Sequence, residues 1–498
     1  MPTTPTAIAS RARPAPWALP VTALIFVAYG FGLTRDLTET WSGLHDWNGA
    51  MNSQYARNLL RYPLSVHGGM GLVAVGDAIP PPNERARYAN HPPGLVWILA
   101  AAFSVCGQAE WVARLTSVVA SMGSLLLLLD LARRRYGPVI ACLAGALYAV
   151  MPMSVYFGRM VSHEPHMLFL MLAALWAWRT WQEQAASPRR RTLAAASWAV
   201  FVICSIWVDW PGMIFAALFC VHATIQRLRG RIGLGSFLMV FLVGATAAIG
   251  VLGFVVTVGL AGRWSDFFVL FRSRTGALSE PMSTSTLSYT FQNLTAPVIL
   301  LTAVGLAVDS WRCLRGARPV VPEAGRSDRD LDVLWVLHAT GLIWLCLFWR
   351  QYQLHAFAAF YLGPWVSLLW ARGVLALHDG VRSFWKPAAI GICGALAALC
   401  PEFCIVGTAD YYAEVSWPVS EIEAWRAMRG KTPAGGRVVL PVNPVVVEQY
   451  GGYRSMTIVP PQLAYYLDTP LGVFGDEAGS SSRPSDAEDD GNSNSGNK

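Results

Sequence analysis

Long apolar runs alternate with short polar breaks along most of this chain. A bilayer core is crossed by about 20 mostly apolar residues of helix. By that rule the pattern predicts spans near 15–34, 111–132, 138–156, 165–181, 192–208, 211–226, 235–260, 292–310, 332–348, 357–372 and 387–407, about eleven helices in all. The first run follows Arg11 and Arg13 and is not trailed by a small-x-small cleavage site, so it reads as an uncleaved helix rather than a signal peptide.

The polar breaks set the orientation. Alternate loops carry Arg133, Arg134 and Arg135; Arg189, Arg190 and Arg191; Arg227, Arg229 and Arg231; Arg312, Arg315 and Arg318; and Arg372, Arg382 and Lys386. Basic loops stay in the cytoplasm. The N-terminus is then cytoplasmic, and an odd number of spans puts the C-terminus outside. The longer segments fall on the external side: a first loop over 35–110, another over 261–291, and everything from 408 onward.

Within the first loop, Trp47, Met51, Tyr55, Leu59 and Tyr62 recur at steps of four and three, while Asn48, Asn52, Arg57 and Arg61 fall mostly off that stripe. The spacing predicts an amphipathic helix lying in the membrane interface, with Asp46 as its N-cap. The apolar stretch 94–106 is too short to span and reads as re-entrant or interfacial. Segments 437–447 and 454–459 read as strands of a small external α/β cap. Asp476 opens a Ser, Gly, Asn and acid-rich tail that reads as disordered. The expected organisation is a cytoplasmic arm over 1–14, a membrane domain over 15–407, an external domain over 408–475 and a tail over 476–498.

Composition agrees with lipid as solvent. The chain of 498 residues is 54% hydrophobic and 14% charged, against about 25% charged in soluble domains. Its net charge of +7 lies in the short basic loops, so no nucleic-acid partner is implied. The nine Cys form no CxxC pair and no zinc spacing.

Candidate chemistry gathers on the external side in four places. These are His45-Asp46-Trp47-Asn48, His91-Pro92-Pro93, the loop from Gly158 through Arg159, His163, Glu164 and His166, and Arg350-Gln351-Tyr352-Gln353-Leu354-His355. Asp209, between Trp207 and Trp210, is a weaker fifth. Each could be a cap, a turn or a solvated hairpin; their clustering on one side favours a site. Few ionisable residues fall inside the spans, which counts against an ion-coupled transporter.

The order of an early acidic residue in the first loop, a Pro-Pro pair closing that loop, Ala113-Arg114-Leu115, and then an acidic residue in the second loop resembles the GT-C membrane glycosyltransferases. The likeness is greatest to the protein mannosyltransferase and lipid A aminoarabinose transferase group of bacteria. It is carried mostly by His45–Pro63 and Tyr156–His166. The resemblance implies an all-α polytopic GT-C-like fold and an inverting transfer of a sugar from a polyprenyl-phosphate donor. It places the reaction on the periplasmic face of the inner membrane, with a lipid, glycan or protein as acceptor. It makes Asp46 the catalytic base and Glu164 the second acidic residue. Cationic groups should hold the lipid phosphate; the candidates are Arg57, Arg61, His91, Arg159, His163, Arg272, Arg274 and His355. His91 stands where the aminoarabinose transferases carry Lys, and Trp47 follows Asp46 where mannosyltransferases have a second acid, so the donor sugar is not carried over. No cofactor is required. A divalent metal is open, with His45, Asp46, His163, Glu164 and His166 as possible ligands. The alternatives are an oligosaccharide transferase of similar architecture and a lipid or solute transporter.

Overall fold

The computed structural model describes residues 16–43, 45–82, 85–183, 186–260, 264, 268, 271, 272, 275, 284–314, 333–382, 385–413, 417–429, 431, 438–440, 461–468 and 471–473. The predicted spans coincide with helices among the described residues, that over 357–372 opening on a 3-10 turn. In chain order these are α1 Ala18–Thr34, α2 Asp46–Arg61, α3 Leu64–His67, α4 Gly94–Cys106, α5 Glu110–Tyr136, α6 Pro138–Val150, α7 Pro152–Gly158, α8 His163–Gln182, α9 Pro188–Val208, α10 Pro211–Leu228, α11 Leu234–Leu260, α12 Thr284–Leu294, α13 Ala296–Leu314, α14 Leu334–Leu347 and α15 Trp349–Leu354. A 3-10 turn over Ala356–Leu362 then leads into α16 Gly363–Arg382, α17 Lys386–Ala413, α18 Val419–Met428 and α19 Pro461–Leu467.

Five helices among the described residues are long and apolar enough to cross a membrane, and two bent pairs could each supply one more. The bends correct the expectation of continuous spans. The run over 138–156 breaks by 59° between α6 and α7, where Pro152 removes an amide donor and forces Met151 into an extended conformation. The run over 292–310 breaks by 86° at Thr295, whose φ is positive. Apolar side chains stay exposed along whole helix faces, such as Leu242, Ile249, Leu252 and Leu260 on α11. In water such faces would drive aggregation; in a bilayer they meet acyl chains. The interior between α5, α6, α8, α9, α10 and α16 is one packed apolar cluster.

The first loop is as structured as the bundle. α2 forms over the predicted stripe, but both of its sides are covered. Asn52, Ser53, Arg57 and Asn58 are buried along with Met51 and Tyr55. This corrects the picture of a helix lying open in the interface: α4 packs on one side and α19 on another. Among the described residues there are two short sheets, β1 Leu72–Val73 antiparallel to β2 Ala86–Arg87, and β3 Val438–Leu440 parallel to β4 Leu471–Val473. β3 covers part of the strand expected over 437–447. The strand expected over 454–459, the arm over 1–14 and the tail from Asp476 lie outside the described residues. Because α19 touches α2, the first loop and the C-terminal segment lie on the same side of the bundle.

Candidate functional site

The four polar places meet at one cleft. It is lined by Trp47 and Asn48 from the start of α2, by Tyr88 and His91 from the end of the first loop, by Ser162, His163 and Glu164 at the start of α8, and by Trp344, Gln351, His355, Phe357 and Ala358. The space enclosed between them is about 30 Å³, room for a water molecule. α2 lies over the second-loop motif: Asn52 Nδ2 donates to Val161 O at 3.1 Å, and Asn48 Nδ2 reaches Met160 Sδ at 3.6 Å.

One wall is a stack of rings. His91 and His163 lie nearly parallel at 4.3 Å between centroids, and the Tyr88 ring lies near-parallel to His91 at 6.0 Å. Behind the stack sits Asp209, buried in the turn between α9 and α10. Its Oδ1 is 2.8 Å from His91 Nδ1 and accepts from the Trp210 amide at 2.8 Å; its Oδ2 accepts from Tyr361 Oη–H at 2.9 Å. Burial pushes the Asp209 carboxyl up, but His91, His163 and the Tyr361 hydroxyl outweigh it and hold the group below the usual carboxylate range. Sequence reasoning ranked Asp209 last, although an acid set between two tryptophans in a helical hairpin was the signal. Opposite the stack, His355 rests on Phe357 and near Trp47, with ring centroids 4.9 and 5.9 Å away.

Asp46 sits beside the cleft rather than on its lining. It is the first residue of α2, not its N-cap; His45 occupies that position. The Asp46 carboxylate turns back to accept from the Gly43 amide at 3.0 Å and faces Arg114 Nη2 at 3.4 Å. Arg114 also donates to the carbonyls of Leu37, Glu39 and Thr40, which fixes the loop leading into α2. His45 is boxed by Tyr156, Phe157, Phe357 and Tyr411. That burial pulls its pKa down to about 4, against a smaller upward pull from Asp46.

Several expected phosphate ligands are engaged elsewhere. Arg57 and Arg61 pair with Asp468 at 3.3 and 2.5 Å, and Arg57 also lies over the Tyr465 ring at 4.2 Å. Arg159 donates to Arg35 O, neighbours Asp36 at 3.9 Å and lies over the Tyr412 ring. Arg272 is exposed and does not line the cleft, and Arg274 lies outside the described residues. His91, His163 and His355 do line it.

The possible metal ligands do not converge. His166 uses Nδ1 on Ser162 O at 3.0 Å and Nε2 on Thr116 Oγ1 at 3.1 Å, while His45 is enclosed by rings. Among the described residues no group of three His, Cys, Asp or Glu side chains is placed to hold a metal ion.

Residues 90–249 match the family described as dolichyl-phosphate-mannose-protein mannosyltransferase. That stretch runs from the residue before His91 into the middle of α11. No curated protein matches the chain by sequence. Among solved structures, ArnT from Cupriavidus metallidurans bound to undecaprenyl phosphate is similar with a TM-score of 0.58 and 14% identity, over 93% of this chain and 86% of that one. The Archaeoglobus fulgidus oligosaccharyltransferase in its apo form is similar with a TM-score of 0.54 and 14% identity, over 91% of this chain and 64% of that one. The archaeal protein AglB, in complex with an inhibitory peptide and a dolichol-phosphate, gives a TM-score of 0.54 at 13% identity, over 92% and 64% of the two chains. The chain therefore carries the fold of the GT-C superfamily of membrane glycosyltransferases.

Proposed function

We propose that this protein transfers a sugar from a polyprenyl-phosphate carrier to an acceptor at the external face of a bacterial inner membrane. The observation that carries the reading is the cleft itself. A carboxylate, three imidazoles and aromatic walls converge at one end of an apolar bundle, within a fold that two families of lipid-linked sugar transferases share. The Arg-rich loops predicted to be cytoplasmic alternate with the loops that build the cleft, which supports an external site. The membrane-exposed helix faces supply the surface along which a polyprenyl tail would lie.

In this reading the acceptor nucleophile attacks the anomeric carbon, inverting it. The C1–O bond to phosphate breaks, and its electron pair leaves with the carrier phosphate. The imidazoles of His91, His163 and His355, with Gln351, line the region that would receive that phosphate. The acceptor proton passes to a carboxylate. Glu164 lines the cleft and is the geometric choice. Asp46, one residue before Trp47, is the second candidate, its carboxylate turned toward Gly43 and Arg114.

The test is turnover of a radiolabelled polyprenyl-phosphate sugar by purified protein. Transfer by wild type that falls in Glu164→Gln supports the reading. Lipid movement in liposomes with no covalent product would replace it with transport.

A further inference from the structure

The ring of His91 is restrained from three directions. His163 stacks on it at 4.3 Å and Tyr88 lies beside it at 6.0 Å, both within 19° of parallel. Its Nδ1 edge meets Asp209 at 2.8 Å. An ionised carboxylate has no proton to give, so Nδ1 is the donor. The remaining polar atom of the ring is Nε2, and the side chain keeps 12% of its surface exposed while lining the cleft.

The backing of this ring is itself fixed. Asp209 is 1% exposed, and both of its oxygens are engaged, by Tyr361 and the Trp210 amide as well as by His91. Three further links set the register between the segments that carry His91 and Asp209. Trp210 Nε1 donates to Asn90 O at 2.6 Å. Pro92 and Pro93 stiffen the chain between His91 and α4. Gly94 lies so close to the α9 terminus that a Cβ there would come within 2.3 Å of Trp207 O. Two segments 118 residues apart are thus brought together to about the precision that one hydrogen bond demands.

We propose that Asp209 is the positioning residue of the carrier-phosphate subsite: it grips His91 by Nδ1 so that Nε2 is presented to a phosphate oxygen of the lipid carrier. The inference rests on the transferase reading above. Tyr361 is the outer anchor, restraining the second oxygen of Asp209. The other groups facing the stack are Glu164, on the cleft wall, and His163. A phosphate oxygen only accepts, so the ring binds it as the imidazolium, with Nδ1–H donated to Asp209 and Nε2–H to the phosphate; the buried acid behind it fixes which way the ring points, a support that outer partners commonly give to ligating histidines.

The test is binding of undecaprenyl phosphate, without any sugar, to the full-length protein in nanodiscs. Wild type is compared with Asp209→Asn, His91→Lys and the double variant, with melting temperature recorded for each. Asp209→Asn should bind the lipid phosphate about tenfold more weakly, as the loss of one charge-assisted hydrogen bond behind the ligand predicts. His91→Lys carries its own charge on a flexible stem and needs no acceptor behind it. Adding Asp209→Asn to His91→Lys should therefore cost little further affinity. Unchanged binding by Asp209→Asn overturns the proposal. So does unchanged binding with lost turnover, which would make the pair a proton relay. A double variant as weak as Asp209→Asn alone also overturns it, because Asp209 would then act through the fold. If wild type itself ignores undecaprenyl phosphate, the transferase reading fails first.

Discussion

The two ends of α2 carry similar polar residues and use them in opposite ways. At the C-terminal end the long polar side chains turn to partners within the protein. Arg57 and Arg61 share Asp468, Gln54 Nε2 donates to Ala74 O, and Asn58 Nδ2 donates to the carbonyls of Leu72 and Ala74. At the N-terminal end Trp47 and Asn48 face a cleft shared with Glu164, His91 and His355. The density of charge is higher at the end away from the cleft. What separates a site from a clamp is whether the polar groups complete one another or converge on space.

The largest effect should come from the cleft. Glu164→Gln is expected to lower turnover by about 10²–10⁴, as loss of a general base does, with little change in melting temperature. A variant that keeps full turnover would remove Glu164 from the chemistry. The clamp should fail differently. Asp468→Ala leaves Arg57 charged and buried, which is expected to cost about 3–5 kcal/mol of stability. Thermal unfolding in detergent should show this, while protein that remains folded still binds undecaprenyl phosphate. If binding disappears before stability does, the two ends of α2 are one functional unit and the contrast breaks.

His45, the N-cap of α2, gives the N-terminal end a pH dependence of its own. Its burial favours the neutral ring, so the stability it contributes is complete above pH 6.5, its ordinary value, and is lost as pH falls toward about 4. The loss should approach about 1.4 kcal/mol per pH unit across that window, and His45→Phe should flatten it. A melting curve that is equally acid-sensitive in His45→Phe would deny the ring any part in this. The smallest effect is expected of Asp46→Asn, which keeps the size of the side chain and the acceptor for Gly43. Turnover should fall less than about tenfold, the scale of one exposed-to-buried ion pair. A fall as deep as that of Glu164→Gln would return the base role to Asp46.

Much of this was legible along the chain. The apolar runs announced the helices because lipid sets their length, and the stripe Trp47, Met51, Tyr55 and Leu59 announced α2. The four polar places that line or border the cleft were each visible as interruptions of apolarity. The covering of α2 was not, since the partner that buries its polar side begins at Pro461. For the same reason Arg57 and Arg61 read as open cations: their counter-charge, Asp468, lies 411 residues beyond Arg57. The bend at Met151–Pro152 hid inside continuous apolarity, although the proline was in plain view. Asp209 stands out only weakly along the chain because its partner His91 lies 118 residues away, and only folding brings the two together.

The docking of α19 on α2 has a consequence for how the protein is made. A ribosome delivers α2 among the first segments and Asp468 hundreds of residues later. Through the intervening synthesis the nascent chain holds Arg57 and Arg61 without the carboxylate that neutralises them, and Trp41 without the Tyr466 hydroxyl that receives its amide. The bundle can insert helix by helix, but the loop that carries Asp46, Trp47 and Asn48 reaches its final packing only when residues 461–468 arrive. A message cut short before Pro461 would yield an inserted protein whose first loop is unfinished, a substrate for quality-control proteases rather than a slower enzyme.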